Sequence, residues 1–331
     1  MRAPDEPVGD VLVAPDKFKG TYTAWEVAEA IGRGVRRAGR SVRLLPVADG
    51  GDGTAEVIRL ALGGRRLAAD VSDAIGRPLR AGFTLLDDGR AVVDVAEASG
   101  VGVLRPDERD ALGATSRGTG ELIAAAARAG AREVLVAAGG SACTDAGAGL
   151  LAAVREAGVT SLPVTVICDV RTPFERAPAV FGPQKGADPD DVAALERRLD
   201  AFARAGPRDP RGLPMTGAAG GLAGGLWAHL GATLVPGAAY VLDLLRFDAR
   251  LDGASLVLTG EGRIDSQTAH GKAVSEVAGR ARARDIDCVV LAGQDGLGAA
   301  AAAELGISTV VEACEPLAME SAALKLALKF N

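Results

Sequence analysis

The chain opens on an apolar run at 11–14, then polar turn residues, then apolar positions at helical spacing over 24–38. Thr23 before that stretch and Glu26 three residues on form a capping-box pattern, and Gly39 supplies a stop. A second apolar run at 42–47 and a second helical stretch at 54–62 follow. Strand, helix, strand, helix in succession predicts a parallel layer with helices packed on it. After Gly64 the pattern changes to short strands at 67–71, 79–86 and 91–95, separated by the turns Gly76-Arg-Pro78 and Asp87-Asp-Gly89. That spacing predicts an antiparallel meander in a separate lobe. Helical spacing returns at 118–129, 145–156, 188–205 and 217–230, with strands at 133–138, 164–168 and 255–258. The end repeats the opening: a helix from 272, a strand at 288–292, a helix from 297, a strand at 309–311 and a last helix from 317. The expected fold is therefore α/β with two domains. One is a doubly wound parallel sheet built from both chain ends, 1–65 plus 270–331, and the other is a mixed-sheet α/β domain, 66–269, inserted between them.

A length of 331 residues is enough for two such domains. Aromatic residues are only 3% against 48% hydrophobic, so the core must be aliphatic, as helix-on-sheet layers allow. The net charge of −6 and the lack of a basic run argue against a nucleic-acid partner. Cys143, Cys168, Cys288 and Cys314 show no CxxC spacing and read as reduced, mostly buried thiols. No apolar stretch reaches the roughly 18 residues of a membrane helix, and the polar first ten residues carry two prolines rather than a signal-peptide pattern. The expectation is a cytoplasmic protein with a small-molecule substrate and no membrane partner; a homodimer is left open.

Several chemistries are excluded by what the chain lacks. It has no G-x-x-x-x-G-K-[ST] and no G-x-G-x-x-G after the first strand. The only histidines are His229 and His270, both read as structural, and no Cys/His cluster suggests zinc. Gly- and Asp-rich turns remain, several placed between an apolar run and a helix, where an open α/β sheet puts its ligand. Phosphoryl transfer needs oxygen ligands for Mg²⁺, lysines on phosphate oxygens, backbone amides and a carboxylate near the attacking hydroxyl. Asp16 and Asp49 end the first two strands, with Lys19 on the same turn as Asp16. Gly50 and Gly51 follow Asp49, Gly139, Gly140 and Ser141 form a glycine-rich turn before Asp145, and Glu261, Asp265 and Lys272 surround another. Local explanations compete: Asp16 and Asp145 both suit capping, Arg117 suits either a carboxylate clamp or a helix surface, and Lys185 suits solvent.

Eight strings in order over residues 11–293 resemble the bacterial glycerate kinase family of type 1. They are Ala14-Pro-Asp-Lys-Phe-Lys-Gly20, Pro46-Val-Ala-Asp-Gly-Gly-Asp-Gly-Thr54, Ala114-Thr-Ser-Arg-Gly-Thr-Gly-Glu121, the run Gly139 to Gly149, Cys168-Asp-Val170, Phe181-Gly-Pro-Gln-Lys-Gly-Ala187, Gly217-Ala-Ala-Gly-Gly221 and the run Thr259 to Gln267 with Lys272. The resemblance implies transfer of the ATP γ-phosphate to a hydroxyl of D-glycerate with Mg²⁺, giving 2-phosphoglycerate. It also implies a flavodoxin-like domain and an active-site cleft between two domains. Asp16, Lys19, Asp49, Ser116, Asp145, Glu261, Asp265 and Lys272 fall at its motif positions. Our assignment gives Asp49 and Asp145 the metal or base work and Asp16 and Lys19 a catalytic place. Gly50, Gly51, Ser116, Arg117, Gly139, Gly140, Ser141, Lys185, Glu261, Asp265 and Lys272 are assigned to substrate or nucleotide. The alternatives are a 3-phosphate product, another small hydroxy acid, or a ligand-binding paralogue without catalysis. The chain departs from the family pattern at Ala146, where a glycine is usual, and in shortened segments at 151–164 and 171–180.

Overall fold

The computed structural model describes residues 9–159, 161–265, 268 and 272–330. Its strands are β1 (Asp10–Val13), β2 (Val42–Leu44), β3 (Arg65–Ser72), β4 (Pro78–Leu85), β5 (Arg90–Asp94), β6 (Glu133–Ala137), β7 (Val164–Cys168), β8 (Thr233–Pro236), β9 (Ala254–Glu261), β10 (Asp287–Ala292) and β11 (Thr309–Glu312). They form two sheets in two compact units, one holding the chain up to Asp49 and again from Ala238, the other Gly50–Gly237.

The sheet of the first unit has the order β11-β10-β9-β1-β2, with every pairing parallel. Renumbered within the unit, this is the 2-1-3-4-5 order of flavodoxin-like folds. Strand β9 lies at its centre, and its residues from Leu256 to Gly260 are buried without a break, as a strand covered on both faces must be. This placement takes 238–269 into the first unit, although the sequence pattern groups them with the insertion. Conversely, the helix Thr54–Leu62 falls in the second unit. A short apolar run carries no mark of which sheet will pair with it; only the backbone hydrogen bonds of β1 and β10 decide.

The helix Ala24–Arg37 begins with the expected capping box: the Glu26 amide donates to Thr23 Oγ1 at 3.2 Å and the Thr23 amide to Glu26 Oε2 at 2.8 Å. Its Val27, Ala28, Ile31 and Val35 close over Val11, Val13, Leu256 and Leu258, together with Met319, Ala323 and Ala327 of the helix Pro316–Lys329. The two helices meet at Gly34, where an added Cβ would stand 2.1 Å from the Glu320 carbonyl oxygen.

In the second unit the order is β3-β4-β5-β6-β7-β8. The meander β3-β4-β5 is antiparallel as expected, but it is not separate: β5 continues into the parallel set β6-β7-β8. Strand β8 is missed by the sequence pattern because it is short, sits at the sheet edge and ends in Pro236. The helix expected from 217 begins at Leu222, since Ala219, Gly220 and Gly221 adopt positive φ and the turn lies against the Cys143 backbone. Similarly, the helix expected from 145 begins at Ala148. Cys143, Cys168 and Cys288 are buried thiols and Cys314 is exposed, all unbridged. Among the described residues no helix is long and apolar enough to cross a membrane.

The contact at Gly34 yields a stability test. Gly34→Ala is expected to lower unfolding free energy by about 1–3 kcal/mol through overpacking against the C-terminal helix, despite the better helix propensity of alanine. Urea unfolding followed by circular dichroism measures it; an unchanged or raised midpoint would show that the two helices separate freely.

Candidate active site

The order of the first sheet reverses between β1 and β9, and ligands of open α/β sheets bind at such a point, outside the carboxyl ends of the strands. The chain leaving β1 stays bound to β9: the Ala14 amide donates to the Leu258 carbonyl and the Asp16 amide to the Gly260 carbonyl, both at 2.8 Å. On the other side the Leu45 and Val47 amides donate to Val13 and Pro15, and this paired extension leads to Asp49. Three carboxylates, Asp16, Asp49 and Glu261, thus gather at one sheet edge and act on one another electrostatically.

Asp16 is only 5% exposed. Burial, reinforced by Asp49, pushes its pKa up to about 7, although the Lys17 amide donates to its Oδ1 at 2.6 Å. Burial also raises Glu261, with Asp49 and Asp265 adding and Lys272 opposing. Glu261 Oε1 accepts from Lys272 Nζ at 2.8 Å, whereas Oε2 is buried with no hydrogen-bond partner among the described residues. For Lys272 burial favours the neutral form, but the carboxylates of Glu261, Asp49 and Asp265 together hold its pKa above the ordinary value. Asp265 lies 3.3 Å from Arg263 Nε, and its amide donates to Thr268 Oγ1. Lys19 is exposed on the turn closed by the Phe18–Tyr22 bridge. That turn lies directly on Gly262, where an added Cβ would come within 3.2 Å of Phe18 Cα.

In the second unit the glycine-rich turns meet at the carboxyl ends of β6 and β7. The Gly139 amide donates to the Gly50 carbonyl at 3.2 Å, and a Cβ on Gly139 would stand 2.5 Å from Gly51 Cα. Gly50 has φ of 95° and lies on the Ile167 carbonyl. These glycines are required by backbone packed on backbone. The exposed Gly140 accepts from the Val101 amide at 2.9 Å, and the Ala142 amide donates to Ser99 at 2.8 Å, so this turn is braced against 99–101. Lys185, 3% exposed, braces it from inside: Nζ donates to Ser141 Oγ at 2.9 Å, the Cys143 carbonyl at 2.5 Å and Thr144 Oγ1 at 3.4 Å. Burial lowers the Lys185 pKa, opposed by Cys143, Asp145 and Asp169. Its ammonium therefore shapes the loop rather than lying in solvent.

Ser116, Arg117 and Asp145 form a separate latch. Asp145 Oδ2 accepts from the Ser116 amide (2.9 Å), Ser116 Oγ (2.8 Å) and the Gly149 amide (3.1 Å), and Oδ1 accepts from the Gly147 amide (3.0 Å). Ser116 Oγ in turn accepts from the Leu150 amide at 3.0 Å. Asp145 thereby satisfies amides at the start of the helix Ala148–Glu156 and ties them to the start of the helix Arg117–Arg128. Of its two readings, the cap is the one this geometry supplies. Arg117 pairs with Glu121 at 3.0 Å and Glu156 at 2.6 Å on the helix surface. Asp49 and Asp145 lie in different units, and no three His, Cys, Asp or Glu side chains form a metal cage among the described residues. His229 packs against Phe202, ring centroids 5.1 Å apart, and burial lowers its pKa; His270 lies outside the described residues.

Sequence reasoning missed two carboxylates. Asp169 follows β7, and a Cβ on Gly139 would stand 2.9 Å from its Oδ2. Asp94 ends β5 and is buried at 2% exposure. The signal was there: both follow an apolar run, as Asp16 and Asp49 do.

The parallel sheet, with buried carboxylates and a paired lysine at its switch point, defines an α/β enzyme. The family model described as the glycerate kinase family matches residues 11–157 and 156–329. The chain is 39% identical to the glycerate kinase of Bacillus subtilis (strain 168) over 86% of this chain and 84% of that protein. It is 35% identical to the glycerate 2-kinase of Escherichia coli (strain K12) over 82% of each. A crystal structure of a protein assigned as glycerate kinase 2 from Salmonella typhimurium LT2 superposes with a TM-score of 0.82 at 34% identity, covering 97% of this chain and 98% of that one. The chain belongs to the glycerate kinase family, and it is a kinase.

The buried carboxylates carry a stability cost with a definite sign. Native Asp16 holds its proton up to about pH 7, while the unfolded chain releases it near the ordinary 3.8, so the native state binds more protons in that window. Stability is accordingly lost as pH rises from about 4 to about 7. Asp16→Asn removes this dependence. Relative to wild type, the variant is expected to gain about 1 kcal/mol of stability per pH unit across the window. Denaturant unfolding of both proteins at pH 5 and pH 8 checks this; an equal difference at the two pH values would refute the buried, charge-repelled state of Asp16.

Proposed function

We propose that this kinase transfers the γ-phosphoryl group of ATP, as its Mg²⁺ complex, to a hydroxyl of D-glycerate, giving 2-phosphoglycerate and ADP. The observation that carries this reading is the edge at β1 and β9, with Asp16, Asp49 and Glu261 beside Lys272. Such a donor set fits Mg²⁺, which takes one or two carboxylates and completes its shell with water and phosphate oxygens. Glu261 Oε2, without a hydrogen-bond partner among the described residues, is a ready oxygen ligand, and burial of like charges gives the group a reason to take up a cation. Asp49 and Glu261 would hold the ion, which would supply positive charge for the phosphate oxygens. Lys272 would add a second positive group on the same side. Asp16, buried beside them, would take the proton released when the substrate hydroxyl bonds to phosphorus and the bond to the ADP oxygen breaks. The turn at Gly139–Ser141, with Gly50 and Gly51 against it, would hold anionic oxygens. The 2-phosphate product rests on the name of the Escherichia coli relative and on the type 1 resemblance.

ADP release coupled to a spectrophotometric signal, with product identified by phosphorus NMR, tests the reading: glycerate-dependent turnover with a 2-phosphate resonance is expected. Turnover with another hydroxy acid alone, or a 3-phosphate, would overturn the assignment. Asp49→Asn is expected to lower kcat by at least about a hundredfold with the melting profile preserved. Retention of kcat would move the cation to other residues.

A further inference from the structure

The helix Thr54–Leu62 has no side-chain cap of its own, because its N-cap is Gly53, at φ of 88°. The carboxylate of Asp94, 41 residues away at the end of β5, supplies it. Its Oδ2 accepts from the Gly53 amide at 2.9 Å and its Oδ1 from the Ala55 amide at 3.0 Å. Most N-caps are local side chains that satisfy one amide. Here one buried carboxylate grips two, and thereby fixes the exit of the turn Gly50-Gly-Asp-Gly53. The entry of the same turn is fixed on the Ile167 carbonyl and its middle on Gly139. Thr54 Oγ1 donates to the Gly51 carbonyl at 2.6 Å and tightens it further.

We propose that Asp94 is a positioning residue of this kinase: by clamping the Gly53 and Ala55 amides it holds the Gly50–Gly53 turn in the shape that receives an anionic oxygen of the substrate. The inference rests on the function proposed above, and it names a residue that the motif reading passed over. The anionic oxygen has two sources, the carboxylate of the hydroxy acid or a phosphate of the nucleotide, and the kinetics separate them. Burial raises the Asp94 pKa to about 7, with Asp52 and Glu97 adding and the two amide bonds opposing, while Arg66 also lies within electrostatic reach. The site thus keeps a buried carboxylate where a neutral cap would be cheaper, which is expected if the two-amide grip itself is needed.

Asp94→Asn keeps the shape but can accept only one amide well, because its NH₂ group faces the other. Two readouts on the full chain are needed. Amide hydrogen exchange at Gly53 and Ala55, measured with or without activity, should quicken by about tenfold or more. The KM should rise by about tenfold with a smaller fall in kcat, for D-glycerate if the turn binds the carboxylate, for ATP if it binds phosphate. Asp94→Glu, which retains two acceptors, should recover part of both effects. Wild-type exchange rates in Asp94→Asn would overturn the clamp. Faster exchange with both KM values within roughly twofold of wild type would overturn its service to the site and leave a plain helix cap. If wild type itself does not phosphorylate glycerate, the exchange result still judges the clamp, and the KM arm is run with the hydroxy acid that is turned over.

Discussion

The pairing of β9 between β1 and β10 is the constraint on which the rest of the first unit depends. It joins segments distant in the chain, and the Thr259 hydroxyl seals it by donating to the Ala14 carbonyl at 2.7 Å across 245 positions. With β9 in place the strand order reverses at β1, and the residues that follow both strands come to one edge. Without it Asp16 and Glu261 would belong to unrelated turns. The fold thus creates its chemistry by topology: a switch point is where two strand ends diverge and leave room for a ligand.

What gathers there is unfavourable for folding. Asp16 and Glu261 are held where burial and like charges raise their pKa values, with the charge and amide of Lys17 opposing at Asp16 and Lys272 opposing at Glu261. A fold selected for stability alone would place neutral side chains at these positions. The phosphoryl-transfer site we propose would instead need negative oxygens for a cation and a carboxylate near the attacking hydroxyl.

The second unit solves a different problem, that of holding backbone turns still. Gly50, Gly51 and Gly139 have no side chains because backbone fills the space. The rigidity comes from buried polar groups behind them: Lys185 grips the loop at 141–144, Asp94 grips the turn at 50–53, and Asp145 ties two helix starts together. Residues that motif matching offers as contacts for substrate therefore divide into those that line a surface and those that support it from within. Ala146 shows how tertiary contacts override a local preference. It sits at φ of 56°, a conformation that favours glycine, and its amide still reaches the Gly220 carbonyl.

The chain by itself determined the alternation of strands and helices, because hydrophobic spacing encodes local burial. It also determined the capping box at Thr23, the meander after Gly64 and the family, because those turns need particular residues in a particular order. The carboxylates at the ends of the first two strands were legible for the same reason. Tertiary structure alone decided which sheet receives β9, since an apolar run of that length fits either sheet. It also decided that the meander joins the parallel strands, that β8 forms an edge, and that the unit boundaries fall after Asp49 and Gly237 rather than near 65 and 269. The work of Asp94, Lys185 and Asp145 was likewise outside the sequence's reach, because a buried charge is defined by partners dozens of residues away, and linear spacing holds no record of them.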